Sequence, residues 1–293
     1  MRLLVTGGSG FLGRALVHQA RALGHEVAIL SREAGTPAAP GVIPWVGSLA
    51  EPPWDQVAAF EPDTVVHAAW IATPGVYLDS PENADWVRWS RAFAGRLPAL
   101  GVQHLTVLGT CIEYGMTGQR LHETQSPIAP VSPYARAKAE LHTALSADLA
   151  GTGMGLAWAR IFYPYGPGEH PARLASSLLT RVLAGESITL KTPRSTKDYL
   201  HRDDVGRALL GIADARFQGP INVGTGEGVT VEFLARTLAG LVGHPERVIV
   251  PPEAPRDPLD FVVADVGRLH SLGWRPEVGL VDGLRRLVEG RRA

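Results

Sequence analysis

A single cysteine, Cys111, stands among 293 residues, so no internal disulfide can form and a reducing compartment is expected. No apolar run approaches the roughly 20 residues that a membrane-spanning helix needs. Met1 leads directly into the strand-like Arg2-Leu3-Leu4-Val5, with no apolar stretch resembling a secretion signal. A soluble, cytoplasmic protein is the expectation. An excess of either charge is also missing. The net charge is −1, which gives no basis for a nucleic-acid partner or an anionic membrane surface. The ten histidines show no metal-ligand spacing with cysteine or acidic partners, so no metal is expected. Internal repeats and low-complexity tracts are absent too.

What is present describes a globular chain with a full core and one or two domains: 45% of residues are hydrophobic and 19% charged. Short apolar runs alternate with helical stretches in the first half, which implies parallel βαβ units and a doubly wound α/β sheet. Strands are expected at Leu3–Val5, Glu26–Leu30, Thr64–His67, Leu105–Leu108 and Leu156–Phe162. Helices are expected over about Phe11–Ala22, Glu82–Leu100, and from Pro133 onward. Beyond Gly168 the texture changes to proline-rich loops and shorter elements. Helices are expected near Leu174–Ala184, Asp203–Ala213, Val231–Leu241 and Leu280–Val288, and short strands at Ile188–Leu190 and Ile221–Val223. The second of these strands can rejoin the main sheet. We therefore expect a dinucleotide-binding domain over 1–168 plus about 198–226. A smaller lobe is expected over about 169–197 plus 227–293.

The segment Thr6-Gly7-Gly8-Ser9-Gly10-Phe11-Leu12-Gly13 follows the first strand and opens a helix. Gly7, Gly10 and Gly13 have the spacing of a dinucleotide cradle. The first permits the tight turn, the second lets a pyrophosphate approach the backbone, and the third lets helix pack on strand. Free amides at the helix N-terminus then receive the anion. An acidic residue ending the second strand would bind the ribose 2′-hydroxyl of NAD. Ser31-Arg32 stands there instead, and Arg14 adds a second nearby cation. NADP(H) is therefore the expected cofactor, with NAD(H) as the alternative.

In Ser132-Pro133-Tyr134-Ala135-Arg136-Ala137-Lys138, serine followed by proline marks a helix start. Tyr134 and Lys138, four residues apart, share one face of that helix. A nearby ammonium would pull a phenol down from its usual pKa of about 10 towards neutrality. Such a phenol can donate and accept protons near neutral pH.

The glycine cradle and Tyr134-x-x-x-Lys138 together resemble the extended short-chain dehydrogenase/reductase family, with its Rossmann-like sheet and smaller C-terminal substrate-binding lobe. Further segments agree. Pro62-Asp63-Thr64-Val65-Val66-His67-Ala68-Ala69 resembles the strand that lines the cofactor. Thr110-Cys111-Ile112-Glu113-Tyr114-Gly115 is similar to the strand end that carries the catalytic serine or threonine. Arg160 to Gly168, Lys197 to Val205, Asn222 to Gly226 and Leu272 to Pro276 resemble segments of the branch containing sugar-nucleotide epimerases, dehydratases and 4-ketoreductases. The resemblance implies Thr110, Tyr134 and Lys138 as catalytic residues. It implies Gly7, Gly10, Phe11, Leu12, Gly13, Ser31, Arg32, Ala68 and Ala69, with Tyr134 and Lys138, as the cofactor contacts. It also implies a homodimer and a nucleotide-sugar substrate.

Departures from the family pattern narrow the chemistry. Ile112 and Cys111 stand where 4,6-dehydratases carry an acid, so that reaction is disfavoured. Glu113 is one position off and, by strand alternation, points to the opposite face. Trp86 occupies the place of an asparagine often found in the preceding helix. Lys197, in place of an arginine, and Arg256 are the cations expected to meet a substrate diphosphate, with Arg173 a weaker candidate. Trp70 and Tyr77, in loops after strands, are positioned to flank a sugar or base. The expected reaction is NADPH-dependent reduction of a nucleotide-linked keto-deoxysugar. The alternatives are an epimerase with the same residues and a non-catalytic dinucleotide-binding protein.

Overall fold

The computed structural model describes residues 1–32 and 40–292. Six strands in the first half are β1 (Arg2–Thr6), β2 (Glu26–Ser31), β3 (Val42–Val46), β4 (Thr64–His67), β5 (His104–Thr110) and β6 (Gly155–Ile161). A seventh, Gly219–Val223, pairs parallel with β6, so the sheet order is Gly219–Val223, β6, β5, β4, β1, β2, β3. Every neighbouring pair is parallel. Runs such as Leu3-Leu4-Val5 are buried on both faces, as parallel strands covered by helices on each side require.

Strand alternation divides the core in two. Leu3, Val5, Val27 and Ile29 meet α1 (Phe11–Ala22) and α6 (Arg202–Asp214) on one face. Leu4, Ala28, Leu30 and Val65 meet α2 (Trp54–Phe60), α3 (Glu82–Arg96) and α4 (Pro133–Asp148) on the other. The helix expected to run to Leu100 ends at Arg96, and Pro98 opens a separate 3-10 turn. Proline's missing N–H and its clash with the preceding turn account for the break. β3 and α2 escaped the sequence analysis. Val42-Ile43-Pro44-Trp45-Val46 is interrupted by proline, and α2 spans only seven residues, too few to display a helical period.

The remaining chain packs α5 (Leu174–Leu183), α7 (Val231–Leu241) and α9 (Leu280–Arg292) about Leu178, Leu179, Val182, Leu234, Leu238 and Leu284. The short helix α8 (Gly267–Ser271) packs its Leu269 into the main core. A three-stranded sheet joins Thr196–Lys197 to Val229–Thr230 and Phe261–Val262. Asp198, fully buried, follows it and accepts hydrogen bonds from Thr225 N (2.8 Å), Thr225 Oγ1 (2.6 Å), Gly226 N (2.9 Å) and Ala264 N (3.2 Å). One carboxylate thus ties three distant segments. Its removal orphans several buried donors at once. We expect Asp198→Ala to cost about 2–4 kcal/mol in urea unfolding. A loss below about 0.5 kcal/mol would show that water replaces these bonds freely.

Candidate active site

The chain leaves β1 towards β2 and β3, then returns to place β4 on the opposite side of β1. Such a reversal opens a crevice beyond the carboxyl ends of the strands, where ligands of open α/β sheets bind. A cleft of about 420 Å³ lies there, lined by Gly7, Gly10, Phe11, Leu12, Gly13, Ser31, Arg32, Ala68 and Ala69, among others. Gly7 has φ +72°, a conformation that side chains other than glycine rarely adopt. A Cβ on Gly7 would lie 2.7 Å from Ala69 N, and one on Gly13 would lie 2.1 Å from Gly7 O. Gly10 caps α1 without a side chain, leaving first-turn amides for an incoming anion. This cradle, which any side chain would fill, fits a nicotinamide dinucleotide. Arg32 is exposed at the cleft, whereas Arg14 turns towards Gly168 and lines neither cavity.

The cleft adjoins a larger cavity of about 750 Å³, with Leu12, Ala68, Trp70, Leu108 and Arg173 in the walls of both. Thr110, Tyr134 and Lys138 all line the larger one. Thr110 closes β5. Tyr134 and Lys138 come from the start of α4, which Ser132 caps by accepting the Ala135 N–H at 3.2 Å. Tyr134 N also donates to Leu78 O at 3.0 Å, joining this helix to the loop after β4. Lys138 is 3% exposed. Its Nζ donates to Leu108 O at 2.7 Å and lies 3.8 Å from the centre of the Trp70 ring.

The electrostatics differ from those expected of the pair. Burial pushes the Tyr134 phenol well above its ordinary range; the charges of Tyr77, Glu113 and Cys111 push it the same way, and its hydrogen bond with Thr110 opposes them. The net shift is upward, opposite to the one expected of the pair. Burial brings Lys138 itself down to about 7, against an upward pull from Glu113. Burial shifts both groups towards their neutral forms because the site is dry.

Trp70 and Tyr77 line the larger cavity beside Tyr134, with ring centres 6.4 and 4.8 Å from its own. Asn83, which sequence inspection passed over, holds both in place. Its Oδ1 accepts from Trp70 Nε1 at 2.9 Å, and its Nδ2 donates to Tyr77 O and Ser80 O at 2.7 and 2.9 Å. The only available signal was a polar residue in the first turn of an aromatic-rich helix. Trp86 lines the cofactor cleft. Cys111 and Ile112 line the larger cavity, and burial pushes the Cys111 thiol up to about 12. Glu113 does not line it.

The two expected cations divide. Lys197 lines the larger cavity but is buried, with its Nζ 2.9 Å from Asp257 Oδ2 and on the carbonyl of Leu259. Arg256 lies outside that cavity. It is 87% exposed, pairs with Asp260 at 2.8 Å, and lines a separate cleft of about 480 Å³. Arg173, on the wall of both main cavities, is better placed than Arg256. Among the described residues, one group of metal-ligand type also comes together: His122, Glu123 and the distant Asp265 bring ligand atoms within 4.8 Å of one another. Glu123 Oε1 there accepts the Asn222 N–H at 3.0 Å.

Among the described residues, no helix is long and apolar enough to cross a membrane. Residues 3–224 match the family described as the NAD dependent epimerase/dehydratase family. The dTDP-6-deoxy-L-talose 4-dehydrogenase (NAD(P)(+)) of Kitasatospora kifunensis is 30% identical over 308 residues, 98% of this chain and 94% of that protein. The NAD complex of UDP-glucose 4-epimerase from Thermus thermophilus superposes with a TM-score of 0.82 at 30% identity. It covers 100% of this chain and 99% of its own. MoeE5 in complex with UDP-glucuronic acid and NAD gives 0.83 at 28% identity, covering 100% and 99%.

A lysine that titrates at about 7 in the fold and near 10.4 when unfolded leaves the unfolded chain binding more protons between those values. Stability therefore rises with pH across that window. Lys138→Met should raise stability at pH 7 by on the order of 2 kcal/mol and flatten this slope, measured by urea unfolding at several pH values. An unchanged slope would contradict the buried-lysine assignment.

Proposed function

The chain belongs to the NAD-dependent epimerase/dehydratase family, within the extended short-chain dehydrogenases/reductases, and from that premise we propose that it reduces a nucleotide-linked keto-deoxysugar at the expense of NADPH. The observation that carries this reading is the composition of the wall around Tyr134. Among the described residues, the carboxylates lining the larger cavity are Glu169 and Asp257, and both are engaged. Glu169 accepts the Ser176 N–H at 2.8 Å, and Asp257 accepts Ser195 Oγ and Lys197 Nζ at 2.8 and 2.9 Å. Ile112 and Cys111 supply apolar surface where an elimination would require an acid. Those walls suit a sugar with a methyl group better than one with a further hydroxyl or a carboxylate.

When bound, the cofactor supplies hydride to the carbonyl carbon. The carbonyl oxygen then needs a proton, and Tyr134 gives it. A phenol held far above its ordinary pKa is fully protonated at neutral pH, which suits a reduction. Thr110 donates a hydrogen bond to the same oxygen as charge develops there. Lys138, which burial brings down to about 7, restores the proton lost by Tyr134 or stabilises its phenolate. Trp70 and Tyr77, held by Asn83, flank the sugar, and Arg173 faces the diphosphate, with Lys197 held by Asp257 on the same wall. Arg32 selects the 2′-phosphate of NADPH.

A second reading, a sugar-nucleotide 4-epimerase, draws on the same three residues and on the 30% identity to the Thermus thermophilus epimerase. NADPH consumed in proportion to alcohol formed supports the reductase, and interconversion with no net loss of NADPH supports the epimerase. Tyr134→Phe should lose about 100-fold or more in kcat while its cofactor Kd stays within roughly threefold. Survival of turnover in that variant would remove the catalytic assignment. Arg32→Ala should weaken NADPH binding about tenfold in fluorescence titration and leave NADH binding unchanged. Equal or tighter binding of NADH by the unmodified protein would overturn the NADPH preference.

A further inference from the structure

Behind the catalytic face lies a carboxylate that does more than close its own turn. Glu113 ends the 3-10 turn Cys111–Glu113, and its side chain is fully buried. Its bonds to Thr110 are reciprocal. The Thr110 side chain accepts the Glu113 N–H, and Glu113 Oε1 accepts the Thr110 N–H at 2.7 Å. The same carboxylate accepts Arg160 Nε at 2.8 Å and Trp158 Nε1 at 3.1 and 3.0 Å. A Cβ on Gly109 would lie 2.7 Å from Glu113 Oε1 and 2.3 Å from Trp158 Nε1, so the strand is bare where this cluster needs space. The brace continues from Arg160 to the Tyr114 hydroxyl at 3.0 Å, and from there to Asn222 Oδ1 at 2.7 Å.

We propose that Glu113 is a positioning residue for the reaction: it fixes the backbone and hydroxyl of Thr110 and sets a dry negative charge behind Lys138. The proposal rests on the reading that Thr110, Tyr134 and Lys138 are the catalytic groups. With one lone pair of the Thr110 oxygen taken by the Glu113 N–H, the hydroxyl proton is directed towards Tyr134, so holding Thr110 also holds the pair. A threonine at a strand end otherwise has more than one rotamer available. If Glu113 served only to neutralise Arg160, a contact with that guanidinium would suffice. Here its oxygens also reach Thr110 and Trp158.

The charges around the pair come from every neighbouring element. Lys138 faces Glu113 from the turn after β5, His67 from β4 and Tyr134 from its own helix. Glu113 itself faces Arg160 on β6, with Cys111 and Tyr114 beside it in sequence. His142 of α4 stacks on Trp158 at 4.8 Å, and burial holds it down to about 4, so it is neutral at working pH. Glu113 is the group whose charge raises Lys138.

Glu113→Gln keeps the volume and an acceptor for the Thr110 N–H while removing the charge. The chain has three lysines, Lys138, Lys191 and Lys197, so lysine labelled with carbon-13 at Cε gives three resolvable titrations by NMR. In the variant the Lys138 midpoint should fall by roughly half a unit or more. With a nucleotide-linked keto-deoxysugar, kcat should fall about tenfold with KM within twofold, a share of what positioned proton transfer contributes. An unmoved Lys138 midpoint, or kcat within twofold of the original, overturns the proposal. If Glu113→Gln does not fold, the double variant Glu113→Gln with Arg160→Gln removes both buried charges and is read in the same way. Failure of both to fold assigns Glu113 to stability alone and overturns the proposal. The lysine titration needs no substrate, so it remains readable if the reductase reading fails.

Discussion

Lys138 hands its ammonium to the carbonyl of Leu108 from inside the protein, with the face of Trp70 across from it. That contact locks α4 against the end of β5, and with it the distance between Tyr134 and Thr110. The arrangement works against stability, since a buried lysine gives up hydration that one carbonyl and one ring replace only in part. Other features supply support around it. The Ser132 cap fixes the start of the helix, the Tyr134 N–H anchors the loop at Leu78, and Asn83 holds the two aromatic residues of that loop. Thr110, Tyr134 and Lys138 thus stand on regular elements, braced from behind.

The same dryness governs protonation. A tyrosine beside a solvated ammonium would be acidified, but here neither partner is well solvated. The phenol keeps its proton and the amine loses part of its charge. A protonated phenol is ready to give a proton to a nascent alkoxide, whereas an oxidation must first remove that proton.

Much of the fold was legible because its signals are local. The glycine cradle, the Ser132-Pro133 start and the doubly buried strands each express a rule that acts over a few residues, and the structure forms those elements. Gly7, Ala68, Ala69 and Thr110 line two adjoining cavities because they sit at or just beyond the carboxyl ends of β1, β4 and β5, and the start of α4 adds Tyr134 and Lys138. What was hidden depends on contacts far apart in sequence. Nothing near Asp198 announces that Thr225, Gly226 and Ala264 will converge on it. Glu113 does lie away from the cavity, but a 3-10 turn and not strand alternation takes it there, and its partners Trp158 and Arg160 lie more than forty residues on. The expected fall in the Tyr134 pKa failed because spacing reveals proximity and says nothing of burial. Arg256 was expected beside the substrate from its motif, yet its guanidinium finds Asp260 four residues away.

β3 is the last strand on its side of the sheet, and Pro44 sits in it opposite Ile29. An outer strand offers a row of amides to any stray chain in a crowded cell, and Ile43 and Val46 are exposed beside it. Proline has no amide hydrogen to offer and breaks that row at its middle. The residue that concealed this strand from inspection of the sequence therefore also discourages the sheet from recruiting an eighth strand from a neighbouring molecule.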